Sequence, residues 1–171
     1  MKIAIVGLSG GGKTTLGRFL AKRHVEPFLE VDALLEQANY FRETDPEKKR
    51  RIFEQVKKEI DAFKKSPDWV IDHNHQLLDR RQVIRESDRV IFFDFPLHVR
   101  AVGNIRRHII GEKRIHHFWS QVLPRTIRYH RRRRREMLGE LSGVSAKITT
   151  IRSRDELKKL MDAEKTGEER F

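Results

Sequence analysis

Short apolar runs alternate along this chain with stretches in which apolar residues recur every three or four positions. The first run, KIAIV over residues 2–6, ends directly in a glycine-rich loop, as expected of a central parallel strand buried on both faces. From Lys13 to about Arg23 the period becomes helical, with Leu16, Phe19 and Leu20 on one face. Pro27 opens a second short strand, PFLEV, whose end carries Glu30 and Asp32 on one side of the chain. A short helical piece is expected to about Tyr40. Asp45 followed by Pro46 announces a longer helix, an N-cap ahead of proline at the first helical position. Ile52, Phe53, Val56, Ile60 and Phe63 form its apolar stripe.

Ser66-Pro67-Asp68 interrupts that pattern, and WVID over residues 69–72 reads as a third buried strand ending in a carboxylate. RVIFFD over residues 89–94 is a fourth, stopping at Asp94 ahead of Pro96. The β-branched KITTI of residues 147–151 predicts a fifth. Ser153-Arg154-Asp155-Glu156 makes a capping box for a last helix bearing Leu157, Leu160 and Met161. Strands interleaved with helices in this way predict an α/β fold, an open, mostly parallel sheet covered on both faces. With 171 residues the expectation is one domain over residues 1–163 and a charged, frayed tail over 164–171.

Composition narrows this picture in two ways. Cysteine is absent, which excludes disulfides, thiol catalysis and cysteine-held metal, and no apolar run approaches the length of a membrane span. A cytoplasmic protein without a membrane partner is the expectation. Second, the net charge of +12 is concentrated: 12 Lys or Arg stand against 3 Glu between Leu97 and Glu140, a local charge of +9. Such a segment favours polyanionic ligands.

The glycine-rich loop carries the sharpest chemistry. Gly7, Gly12, Lys13 and Thr14 satisfy the spacing G-x-x-x-x-G-K-[ST], with Ser9, Gly10 and Gly11 inside it. Glycines let the backbone turn its N–H groups around phosphates, and the helix starting at Lys13 adds its positive end. Lys13 is placed to reach the β- and γ-phosphates of a nucleoside triphosphate, the Thr14 hydroxyl to bind Mg²⁺, and Thr15 to touch the α-phosphate.

KIAIVGLSGGGKTTL, WVIDHNH, RVIFFDFP and ITTIRSRDEL, in this order, resemble the adenylate-kinase-like P-loop proteins known as DNA topology modulation proteins, near the shikimate and nucleoside monophosphate kinases. The resemblance spans nearly the whole chain. It implies a three-layer α/β/α sandwich, a five-stranded sheet of order 2-3-1-4-5, and a helical lid over about residues 100–140. It also implies a Walker-B-like role for Asp72 toward Mg²⁺; Asp94, ahead of Pro96, reads from its position as a strand-end cap. By likeness to shikimate-type kinases, Glu30 is a candidate metal neighbour and Asp32 a candidate to orient or deprotonate an acceptor hydroxyl. Where relatives carry Asp-Gly-Asn after the third strand, this chain has Asp72-His73-Asn74, which bears on how an acceptor fits. His73 and His75 alone make a poor metal pair.

A lid of this kind supplies arginines to the transferring phosphoryl group, and Arg106, Arg107 and Arg114 stand in the matching region. Arg152 follows the last strand, where this fold forms its adenine pocket. The run Arg131–Arg135 exceeds what ATP needs, because five successive arginines point all around a helix. Two functions follow as expectations. One is a kinase transferring the γ-phosphoryl group of Mg·ATP to a small hydroxyl- or phosphate-bearing acceptor, such as a nucleotide. The other is an ATP-regulated nucleic-acid-binding protein using Arg131–Arg135.

Overall fold

A computed structural model gives the architecture; it describes residues 1–24, 26–74, 80–110 and 123–167, the side chains of 104–110 and 123–130 excepted. In chain order the elements are β1 (Lys2–Gly7), α1 (Lys13–His24), β2 (Phe28–Glu30), α2 (Val31–Gln37), α3 (Pro46–Phe63), β3 (Trp69–Asp72), α4 (Arg80–Glu86), β4 (Arg89–Phe93), α5 (Leu97–Ile110), α6 (Leu123–Leu141), β5 (Lys147–Ile151) and α7 (Arg154–Thr166). The five strands lie parallel in the order β2-β3-β1-β4-β5, as the resemblance implies.

Alternation along the central strands sorts the core onto the two sheet faces. Ala4, Val6, Trp69, Ile71, Val90 and Phe92 pack with α2, α3, α4 and α6 through Val31, Leu35, Val56, Ile60, Val83, Ile84, Met137 and Leu141. Ile3, Ile5, Val70, Ile91 and Phe93 face α1 and α7 through Leu16, Leu20, Leu157 and Leu160. Each Val, Leu, Ile, Phe or Met side chain among these withdrawn from water stabilises the fold by about 1.5–3 kcal/mol, before conformational entropy is set against it.

Local signals act as the sequence suggests at two helix starts. Asp45 accepts from the N–H groups of Glu47 and Lys48 at the head of α3, and Ser153 Oγ accepts from Glu156 N–H at the head of α7. The second strand is shorter than expected. It stops at Glu30, and Asp32 lies in the first turn of α2, where a carboxylate suits the positive helix end. The last helix is longer than expected, because Glu164 is buried between Arg89 and His24 Nε2, which is 3.0 Å away. Residues 164–166 therefore belong to α7, which closes on Gly167 in the left-handed conformation.

Candidate nucleotide-binding site

β1 delivers the chain to Gly7 at the carboxyl edge of the sheet. Gly7 has φ +141°, and a Cβ there would come within 2.6 Å of the Phe93 carbonyl oxygen, so both backbone and space require glycine. Gly10 and Gly12 also have positive φ, bending the loop back onto α1. The first turn of α1 leaves N–H groups without intrahelical partners at the head of the loop. Lys13, the first residue of that helix, is buried, with Nζ 3.9 Å from Asp72 Oδ1.

Strand register assembles the acidic side of the site. Asp72 is paired with Ile5 of β1 and with Glu30 of β2, so two carboxylates end adjacent strands at one level. The Thr14 hydroxyl stands between them, 2.9 Å from Glu30 Oε1 and 2.9 Å from Asp72 Oδ2. It has one proton to donate, so the two carboxylates share it. Burial pushes the Asp72 carboxyl above its usual range. The Lys13 ammonium and the Thr14 hydrogen bond oppose that shift, while Asp32 and Glu30 add to it.

Among the described residues, no group of three or more His, Cys, Asp or Glu side chains stands close enough to hold a metal by itself. The donors at Thr14 nevertheless suit Mg²⁺, which takes oxygen ligands, keeps several waters, and uses one or two carboxylates together with substrate phosphates. A hydroxyl held by two carboxylates beside a phosphate loop is such a donor set.

The other sequence candidates separate. Asp32 is half-buried and close enough to Asp72 to act on its charge. Thr15 is exposed on α1. Arg106 and Arg107 belong to α5, but their side chains, like Arg114 and His75, lie outside the described residues. Arg152 is exposed, and its backbone N–H donates to Glu156 Oε2 at 2.7 Å. The neighbouring Arg154 lies closer to the loop: a Cβ on Gly12 would be 3.3 Å from Arg154 Nη1, and its guanidinium sits 5.5 Å from the Phe95 ring centre.

Two expectations change with the side chains in view. His73 does not line an open cleft; it is fully buried, and its N–H donates to the Ile5 carbonyl at 2.9 Å, continuing the β3 ladder. Asp94 is more than a strand-end cap. Its two oxygens receive Arg134 Nε at 2.6 Å and Nη2 at 2.8 Å, so one arginine of the run is bound edge-on to β4. The cause is the register of α6, where Arg134, Met137 and Leu141 share the inward face.

Besides Arg89 at the start of β4, sequence reasoning missed two buried arginines nearer the site. Arg80 grips Glu140 with Nε at 2.6 Å and Nη2 at 2.8 Å and donates from Nη1 to the Asn74 carbonyl, tying α4, α6 and the segment after β3 together. Arg100 donates from Nε to the Ser9 carbonyl at 3.0 Å, inside the phosphate loop. The isolated Gly103 in the α5 pattern was the available signal for the second, since glycine within a helix marks close packing.

Comparison with known proteins agrees with this geometry. A model of the AAA domain matches residues 3–140. The chain belongs to the AAA domain family. This AAA domain shares its fold with a shikimate kinase from Acinetobacter baumannii in complex with shikimate, at TM-score 0.61 and 19% identity over 98% of this chain and 94% of that one. A shikimate kinase from Bacteroides thetaiotaomicron gives TM-score 0.62 and 16% identity over 98% and 97%. A sugar kinase from Janibacter sp. gives 0.52 and 20% over 96% and 91%. In sequence, a shikimate kinase from Symbiobacterium thermophilum is 53% identical over 36 residues, a match spanning 21% of this AAA domain chain and 21% of that protein.

Proposed function

We propose that this AAA domain binds Mg·ATP at Gly7–Thr15 and transfers the γ-phosphoryl group to a small hydroxyl- or phosphate-bearing acceptor. The observation that carries this reading is the Thr14 hydroxyl held 2.9 Å from both Glu30 and Asp72, beside the buried Lys13. A flexible glycine turn has no need of that arrangement, whereas a metal–triphosphate site does.

In this reading the loop amides and Lys13 hold the phosphates. Thr14, Asp72 and Glu30 would hold Mg²⁺, which when bound neutralises charge on the phosphate oxygens. Asp32 orients the acceptor hydroxyl and takes its proton as the acceptor oxygen bonds to phosphorus and the bond to the β–γ bridging oxygen breaks, releasing ADP. A carboxylate suffices because the transition state is loose, so positioning matters more than basicity. Arg106, Arg107 and Arg114 serve the transferring group from the lid, and Arg152 or Arg154 the adenine side. The shikimate and sugar kinases that share the fold support a small-molecule acceptor over a macromolecular one. Acceptor-stimulated ADP release, strongly lowered by Lys13→Ala, tests this reading.

A second reading rests on α6. With Arg134 bound to Asp94, Arg131, Arg132 and Arg135 remain exposed on a helix fixed to the sheet. Resemblance to DNA topology modulation proteins favours a nucleic-acid backbone as their partner. Binding that weakens steeply with salt would support it.

A further inference from the structure

The phosphate loop is touched from outside by a helix to which phosphoryl transfer assigns no part at this point. α5 starts at Leu97, just beyond the carboxyl end of β4, and β4 lies beside β1 with Phe93 opposite Gly7. Its first turns therefore lie against the loop apex. Arg100 is buried there and donates from Nε to the Ser9 carbonyl at 3.0 Å. Gly103, one turn later, approaches so closely that a Cβ on it would stand 2.1 Å from the Gly10 carbonyl oxygen. Two successive loop carbonyls thus face α5.

Peptide geometry gives this contact a consequence. In a trans peptide the C=O and the following N–H point in opposite directions. With the Ser9 carbonyl held by Arg100 and the Gly10 carbonyl against Gly103, the N–H groups of Gly10 and Gly11 are directed away from α5. A glycine-rich loop left to itself samples many backbone states, including those that turn carbonyls toward an incoming anion. We propose that α5 is a template for the phosphate loop: Arg100 and Gly103 are positioning residues that hold the Ser9 and Gly10 carbonyls outward, so that the Gly10 and Gly11 amides face the phosphates before nucleotide arrives.

The residue types fit the task. A guanidinium keeps its donor geometry when buried, and although burial lowers the Arg100 pKa to about 10, the group stays charged at neutral pH and adds positive potential beside the loop. At position 103 any side chain would strike the Gly10 backbone, which cannot move aside as a flexible side chain can. The inference rests on the loop being a triphosphate site, so its test separates the two. Binding of inorganic tripolyphosphate and of Mg·ATP is measured by calorimetry for the wild type and for Lys13→Ala, Arg100→Met, Arg100→Lys and Gly103→Ala. Amide resonances of Gly10 and Gly11 are followed in the ligand-free proteins.

Templating predicts that Arg100→Met and Gly103→Ala each weaken tripolyphosphate about tenfold, the scale of one lost charge-assisted hydrogen bond. Both should shift the two glycine resonances without ligand, and Arg100→Lys, which keeps a charged donor, should recover most of the affinity. Wild-type affinity in both variants, with binding lost only in Lys13→Ala, overturns the inference and leaves the phosphate site standing. A wild type that binds neither ligand removes both. If Gly103→Ala does not fold, the Arg100 pair alone decides.

Discussion

Asp72 Oδ2 lies 2.9 Å from Thr14 Oγ1, across 58 residues of sequence, because β3 sits beside β1 and ends level with the start of α1. A buried carboxylate is costly, and the fold offsets it with the Lys13 ammonium and the Thr14 hydroxyl only in part. Such a residual cost at a phosphate loop is what a metal–nucleotide ligand would relieve.

Asp72→Asn should therefore separate stability from function. The Asp72 carboxyl is raised above its ordinary value of 3.8 by burial, so the folded state binds its proton more readily than the unfolded chain does. This group's contribution to stability is present at low pH and falls as pH rises through the raised value. The ligand-free variant should melt higher than wild type at mildly alkaline pH, and the gap should close as pH falls toward 3.8. The same change should weaken Mg²⁺-dependent nucleotide binding by about 10- to 100-fold. A variant that melts lower at alkaline pH would contradict the electrostatic account.

Arg80 and Glu140 form a buried bidentate pair that joins α4 to α6. Removing one partner leaves the other charge uncompensated, so Arg80→Ala should cost about 3–5 kcal/mol in denaturant unfolding. The more exposed Arg134–Asp94 pair should show a coupling of only about 1 kcal/mol in a double-mutant cycle. Equal costs at the two pairs would mean burial is not what sets their strength.

Much of this fold is legible in the sequence, and the limits have physical causes. Apolar runs with helical periods between them reveal the strands, because a buried parallel strand needs nearly continuous apolar residues. Lys13 and Thr14 are legible because the phosphate loop is local. Asp72 and Glu30 are legible only as strand ends, and their meeting at Thr14 depends on strand order, which came from the resemblance. Arg80, Arg100 and Arg134 were hidden: an arginine in a basic helix looks solvated until a partner far along the chain, such as Glu140 or Asp94, is known. FLEV favours β structure locally and so points Asp32 to a strand, while the sheet pairs only Phe28–Glu30 with β3 and Asp32 lies in α2.

Asp32→Asn tests the acceptor side alone. It should leave Mg·ATP binding within about twofold, since its role is toward the acceptor, and lower acceptor-stimulated turnover by about 10²- to 10⁴-fold. Loss of ATP binding would instead place Asp32 with the metal.

Replacing Arg131, Arg132 and Arg135 by Ser discriminates the second reading. If these exposed arginines hold a nucleic-acid backbone, the slope of log affinity against log salt should fall by about 0.9 per contact removed. An unchanged slope, or no binding by the wild type, would leave these arginines without a nucleic-acid role.

The most direct measurement is ADP release from Mg·ATP, with and without each member of a panel of nucleosides, nucleotides and hydroxylated metabolites, for wild type and Lys13→Ala. Phosphoryl transfer at the phosphate loop predicts that at least one acceptor stimulates the wild type and that Lys13→Ala lowers the stimulated rate by about 10²- to 10³-fold. A wild type that binds ATP but responds to no acceptor, or a Lys13→Ala protein that turns over at the wild-type rate, would contradict it.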